Sequence, residues 1–226
     1  MCASAVFVVI PVYNETATIR SVVEQVLCAG HNVVVVDDGS LQPVHRVVQD
    51  LPIAIIRHRF NLGQGAALET GTRYAVGAGA EFILHFDADG QHQVQDIEPL
   101  LSPLRNGNTD VVFGSRFLHP NPTIPTTRRW LLQTARWVNY CFTGLLLSDA
   151  HNGLRALNRR AAMQIKITEN RMSHSSQILM LVKQQQLRFC EVPVQILYND
   201  YSLGKGQTGW NSLRILFDLL LHKLFK

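Results

Sequence analysis

Apolar residues along this chain follow two rhythms. Unbroken runs, Val6 to Ile10, Val33 to Val36, Ile53 to Ile56, Phe82 to Phe86 and Val111 to Phe113, alternate with stretches whose apolar positions are spaced for a helix. Val and Ile in succession, without polar interruption, read as strands covered on both faces, which predicts an α/β protein with a doubly wound, mostly parallel sheet. Between the first two runs Ile19, Val22, Val23, Val26 and Leu27 recur at helical spacing and stop at Gly30, so the chain opens with a βαβ unit. An Ala-rich helix carrying Leu68, Tyr74 and Ala75 is expected between the third and fourth runs. From about Arg116 the pattern is less regular. It ends over residues 210–226, where Leu213, Leu216, Phe217, Leu220, Leu221 and Leu224 recur at helical spacing among Arg214, Lys223 and Lys226, predicting an amphipathic helix that rests reversibly on an anionic membrane surface.

At 226 residues the chain suits one domain, read as a first half over 1–115, a second half over 116–209 and the terminal helix. No window reaches the ~20 apolar residues of a membrane-spanning helix. The nearest, Trp130 to Leu147, is interrupted by Gln133, Arg136 and Asn139 and reads equally as core or as an interfacial helix beside Arg128 and Arg129. The apolar start has no basic segment before it and runs into Pro11-Val12-Tyr13-Asn14-Glu15, so it is expected to be a strand rather than a signal peptide. Charge adds a mild constraint: 21 basic against 17 acidic residues, net +4, with no Lys/Arg run, argues against nucleic acid and for anionic small molecules or lipid headgroups. Cys2, Cys28, Cys141 and Cys190 lack CxxC spacing, which points to neither zinc nor disulfides and to a reducing, cytoplasmic compartment.

In a doubly wound sheet, ligands sit beyond the carboxyl ends of the strands. Those ends deliver Tyr13-Asn14-Glu15, Asp37-Asp38-Gly39-Ser40, Arg57-His58-Arg59, Asp87-Ala88-Asp89 and Gly114-Ser115-Arg116 to one rim. Paired acids there repel unless a cation compensates. On an extended backbone Asp87, Asp89 and Gln91 face the same way, an oxygen set that suits Mg²⁺ or Mn²⁺. The alternative is that the acids cap the next helix. Gly63 and Gly65 fit either a plain loop or a turn against a phosphate. His85, His92, His151 and His174 read as ordinary satisfied polar residues, with His92 nearest the acids.

Ile10-Pro11-Val12-Tyr13-Asn14-Glu15, Val36-Asp37-Asp38-Gly39-Ser40, Asn61-Leu62-Gly63-Gln64-Gly65, Asp87-Ala88-Asp89-Gly90-Gln91-His92 and Gly114-Ser115-Arg116, in that order and spacing, resemble the motif series of family 2 glycosyltransferases. The likeness extends over about residues 5–210 and is strongest to the branch of dolichol- and polyprenyl-phosphate mannose or glucose synthases. It implies a GT-A fold and places Pro11, Tyr13, Glu15, Asp37 and Asp38 at the nucleoside. It places Asp87, Asp89 and Gln91 at a metal and the diphosphate, Arg116 and Arg128 on phosphate groups, and the 149–155 loop, with Asp149, on the acceptor side. Lys205, in Ser202-Leu203-Gly204-Lys205-Gly206, falls in a loop that closes over the donor. Asp200 and Tyr201 stand where relatives often carry an arginine, and Gln93-Val94 replaces prolines.

The activity so implied is inverting transfer of a sugar from a UDP- or GDP-sugar to a polyprenyl phosphate at the membrane surface. Transfer to a sugar hydroxyl in surface-glycan assembly, or nucleotide-sugar binding without catalysis, are the alternatives. The stretch from Arg171 to Cys190 contains no Asp or Glu. A hydroxyl acceptor needs a base, for which Asp149, Glu169 or Asp200 would have to serve, whereas a phosphate monoester is already ionised at neutral pH.

Overall fold

The computed structural model of the protein describes residues 5–119, 136–137, 140–141, 143–149, 152–170 and 173–197. Seven strands form one sheet: β1 (Val6–Val12), β2 (Asn32–Asp37), β3 (Ala54–Arg57), β4 (Phe82–His85), β5 (Val111–Ser115), β6 (Arg155–Asn158) and β7 (Phe189–Pro193), in the order β3-β2-β1-β4-β6-β5-β7. β1 pairs in parallel with β2 and β4, β2 with β3, and β5 with β7. β6 runs antiparallel to both of its neighbours, β4 and β5.

Helices cover both faces, which is why the strand runs are apolar without alternation. α1 (Ile19–Cys28), α2 (His45–Val48) and α4 (Ile97–Arg105) lie on one side, where Val8, Ile10, Val33, Val35 and Leu84 meet Val22, Val26, Leu100 and Leu104. α3 (Gln64–Gly77), α5 (Arg159–Gln164) and α6 (His174–Gln184) lie on the other, where Val9, Val34, Val36 and Ile83 meet Leu68, Ala75, Ala161 and Leu179. Neighbouring residues of one strand thus enter opposite cores, as the pleat requires. Among the described residues no helix is long and apolar enough to cross a membrane.

The five apolar runs all form strands, whereas β6 and β7 were not foreseen. Arg155-Ala156-Leu157-Asn158 carries no strand signature of its own, yet it fills the slot between β4 and β5 with Ala156 and Leu157 fully buried.

At the end of β5 away from the rim, the buried carboxylate of Asp110 ties β7 to the β6–α5 corner. It accepts hydrogen bonds from Arg188 N (2.9 Å), Nε (3.1 Å) and Nη2 (3.1 Å), Asn158 Nδ2 (3.0 Å) and Arg160 Nη2 (3.0 Å). The Arg188 hydrogen bond outweighs burial and holds Asp110 well below the usual carboxylate range. Its contribution is therefore complete above the unfolded pKa and lost as pH falls through the folded one. Asp110→Ala is expected to cost about 2–3 kcal/mol at pH 7, the scale of charge-assisted hydrogen bonds, in urea unfolding. The wild type should also lose more stability than Asp110→Asn on acidification below about pH 4; equal acid sensitivity would contradict the assignment.

Candidate active site

The first strand ends build a rigid rim. Asp37 ends β2 and Asp38 follows it, at 1% and 2% exposure. Asp37 accepts Ser40 N (2.9 Å) and Val44 N (3.1 Å) and lies 3.4 Å from Arg57 Nε. Asp38 accepts Leu62 N (2.9 Å) and Gly63 N (2.7 Å), and His58 Nδ1 sits 2.7 Å from it. The two acids of the Asp-Asp-Gly-Ser stretch hold the adjoining loops in place. The Gly63 amide is thereby committed to Asp38, and the Gly65 amide donates to Asn170 O (3.0 Å), so neither is free for a phosphate. Asn14 joins the rim to β1: its amide donates to Ser40 Oγ (2.9 Å) and its Oδ1 accepts Leu41 N (2.9 Å). Of the other expected nucleoside residues, Pro11 is buried, Glu15 is partly buried and Tyr13 is 50% exposed, a ring face available to a ligand.

Beyond β4 the expected extended backbone does not form. Ala88 and Asp89 make a turn, and Gly90 takes φ +72°, a left-handed conformation that glycine adopts without strain. Asp87, Asp89 and Gln91 therefore do not simply alternate. Asp87 Oδ1 accepts Gln64 Nε2 (3.0 Å) and its Oδ2 lies 2.9 Å from His92 Nε2. Asp89 Oδ1 accepts Gln91 N (3.0 Å), the turn's own closure. Thr18 Oγ1, at the start of α1, donates to Ala88 O (2.7 Å) and pins the turn to the first loop. The helix-cap alternative fails: neither acid caps α4, and Asp96, at its N-cap, instead accepts Gln195 N (2.9 Å).

The two acids differ electrostatically. Burial pulls Asp87 upward, but the hydrogen bond and charge of His92, then Arg155 and His174, leave it below its ordinary value. Asp89 is raised, by burial first and by the Asp87 charge second, with Glu15 adding to it. Among the described residues no Lys or Arg forms an ion pair with Asp89. A desolvated carboxylate facing like charges without a compensating cation fits an open divalent-cation site completed by ligand oxygens. Among the described residues no group of three or more His, Cys, Asp or Glu is placed to hold a metal ion by itself.

Behind the turn, on the α3 side, lies a buried basic group that the motif reading did not use for this purpose. Arg155, 2% exposed, donates through Nε to Gly153 O (3.2 Å), and burial lowers it to about 10, partly opposed by Asp87, so it stays charged at neutral pH. His85 lies 3.0 Å from Thr72 Oγ1 and is pushed well below its usual value by burial, then by Arg155 and His174, so it is neutral. His92 is 7% exposed and packs edge-on against Phe86 at 5.4 Å. It is a partner of Asp87 rather than a bystander.

Arg116 and Asp149 come together across 33 residues: Arg116 Nε is 2.6 Å and its amide 3.1 Å from Asp149 Oδ2, with both side chains buried. Glu191, on β7, was missed in the sequence. It accepts Ser148 N (2.8 and 2.9 Å), Ser148 Oγ (2.7 Å) and Asp149 N (3.2 Å). Only its place in a Cys-Glu-Val-Pro strand could have flagged it. In α6, Gln177 accepts Thr168 N and Glu169 N (2.9 Å each) and fixes that connection. Of the described residues in the apolar stretch, Trp137 and Tyr140 are 57% and 41% exposed and Leu147 is buried. Arg128, Lys205, Cys2, His151, Asp200 and the terminal helix over 210–226 lie outside the described residues.

A family model described as Glycosyl transferase family 2 matches residues 7–166. An uncharacterised protein of Methanocaldococcus jannaschii is 32% identical over 225 residues, covering 97% of this chain and 93% of the relative. A UDP-N-acetylglucosamine–dolichyl-phosphate N-acetylglucosaminyltransferase of Methanococcus voltae is 28% identical over 248 residues, 100% of this chain and 99% of the relative. Among solved structures, glucosyl-3-phosphoglycerate synthase from Mycobacterium tuberculosis, in complex with Mn²⁺, uridine diphosphate and glucosyl-3-phosphoglycerate, aligns with a TM-score of 0.71 at 16% identity, covering 96% of this chain and 78% of that one. The last likeness is one of fold, and it bears out the GT-A arrangement.

Proposed function

We propose, from the premise that this chain belongs to glycosyl transferase family 2, that it transfers a sugar from a nucleoside diphosphate sugar to a polyprenyl phosphate at the membrane surface, with inversion. The observation that carries the acceptor class is the Arg116–Asp149 pair. Asp149 is the one candidate base on the described acceptor-side loop, and it is 3% exposed with Oδ2 already taken by the Arg116 side chain and amide, which argues against its taking a proton from an acceptor hydroxyl. A phosphate monoester needs no such base, since its second pKa near 6 leaves it mostly dianionic at neutral pH. The Methanococcus voltae relative, whose name states transfer to dolichyl phosphate, supports the same class.

In this reading a phosphate oxygen of the acceptor attacks the anomeric carbon, the new carbon–oxygen bond forms as the bond to the diphosphate breaks, and the nucleoside diphosphate leaves. Asp89, with Gln91 and backed by Asp87, would hold Mg²⁺ or Mn²⁺, which supplies charge neutralisation to the leaving diphosphate when bound. Asp87 is held in register by His92 and Gln64. Tyr13, Pro11 and Glu15 border the nucleoside, Asp37 and Asp38 keep its rim rigid, and Arg116, with Arg128 and Lys205, supplies positive charge for phosphates. The 226 residues act as one catalytic domain, peripheral to the membrane.

The test is to offer purified protein UDP- and GDP-sugars with Mn²⁺ and either a short-chain polyprenyl phosphate or the matching polyprenol, following product by chromatography. Transfer to the phosphate and not to the alcohol is expected. Transfer only to glycan hydroxyls gives the reaction to the hydroxyl-acceptor alternative, and tight donor binding with neither transfer nor hydrolysis leaves a binding module.

A further inference from the structure

Among the described residues the hydrogen bonds of Glu191 go to Ser148 and Asp149 and not to the Asp87–Asp89 turn, yet it ends a chain of contacts that begins at Arg116. In β7 it stands beside Phe113 of β5, two residues before the Ser115-Arg116 strand end. Both of its oxygens face the turn at 148–149, where they accept two backbone amides and one hydroxyl at 2.7–3.2 Å. Ser148 Oγ lies a further 2.6 Å from Ser115 Oγ, which in turn accepts Phe117 N (3.3 Å). Among the described residues Glu191 has no Lys or Arg ion-pair partner, so its charge is answered by the turn's N–H and O–H groups alone. Charge-assisted hydrogen bonds of this kind are about twice as strong as neutral ones and directional. Asp149 is therefore fixed from behind by Glu191, and it fixes Arg116 from below through both the side chain and the amide.

We propose that Glu191 is a positioning residue for Arg116: through Asp149 it sets where the guanidinium meets the anionic substrate, without touching substrate itself. The proposal rests on the reading of Arg116 and Asp149 as site residues. In Glu191→Gln at least one of the four carboxylate contacts meets an NH2 group instead of an acceptor, and the charge that strengthens the remaining ones is lost, which loosens the hold on the 148–149 turn. A displacement of about 1 Å at a charge-positioning group is enough for a loss on the order of 10²-fold in turnover.

The experiment measures kcat, donor KM and thermal midpoint for wild type, Glu191→Gln, Asp149→Asn and the double variant. Glu191→Gln is expected to lower kcat about 10- to 100-fold with donor KM within about 2-fold, at temperatures where every variant is folded. Added to Asp149→Asn it should cost less than about 3-fold more, since both act along one path. A lowered midpoint with unchanged kcat, or independent multiplication of the two losses, overturns the positioning role. Wild-type turnover in Asp149→Asn overturns the site reading and this proposal together, whereas full activity of Glu191→Gln beside a crippled Asp149→Asn removes this proposal alone. Should Glu191→Gln fail to fold, Ser148→Ala, which deletes only the hydroxyl link, carries the test: the same split is expected at smaller size, and unchanged kcat overturns it.

Discussion

Asp89→Asn protein is expected to gain no thermal stability from Mn²⁺ with a sugar nucleotide, and to turn over about 10²-fold or more slowly, the scale of one preorganised electrostatic group. The substitution keeps the shape and leaves an oxygen to accept the Gln91 amide, so the turn should survive. What disappears is a negative charge that burial and Asp87 already make costly and that no described Lys or Arg ion pair offsets. The metal-free variant should accordingly be at least as stable as the wild type. In the wild type, Mn²⁺ plus nucleotide at 100 times the dissociation constant should stabilise by about 2.7 kcal/mol. A Mn²⁺-dependent shift of wild-type size in Asp89→Asn would remove Asp89 from the cation site.

Gly153→Ala should disable the same turn from behind. A Cβ at Gly153 would run into the Asp87 carboxylate, with Oδ2 its nearest atom. Asp87 has no slack to move, held as it is between Gln64 and His92. Nor does the Gly153 backbone: Leu154 N bonds to Asn152 Oδ1 (3.0 Å) and Leu154 O accepts Gly114 N (2.9 Å). One of these contacts must break. The expected result is a loss on the order of 10²-fold in kcat from a displaced Asp87, with an overpacking cost of about 1–3 kcal/mol in denaturant unfolding. Wild-type kcat in a folded Gly153→Ala protein would show that Asp87 can move without consequence, and the role given to its contacts would fall.

The interactions legible in the sequence are the local ones. Hydrophobic period is a property of neighbours in the chain, so the strands starting at Val6, Asn32 and Val111 and the helix from Ile19 were legible, and with them the parallel sheet. Strand polarity then placed Tyr13, Asp37, Arg57, Asp87 and Arg116 at one rim, and the observed strand directions agree, β5 running parallel to β4 across the antiparallel β6. The register of that rim was also implicit, since Val12 pairs with Asp37 and Asp37 with Arg57. β6 was not legible. Ala156 and Leu157 carry too little apolar pattern to announce a strand, and only the gap between β4 and β5 makes one of them.

The motifs showed which residues gather, but not which partner each would take. Asp37 and Asp38 turned inward because unpaired loop amides, 3 to 25 residues away, needed acceptors. His92, five residues past Asp87, reached it only because Gly90 bends the chain. Arg116, Asp149 and Glu191 are joined across separations of 33 and 42 residues. Such pairings are chosen by the cost of leaving a buried charge or amide unanswered, which is a property of the packed interior and is felt only once the sheet has closed around them.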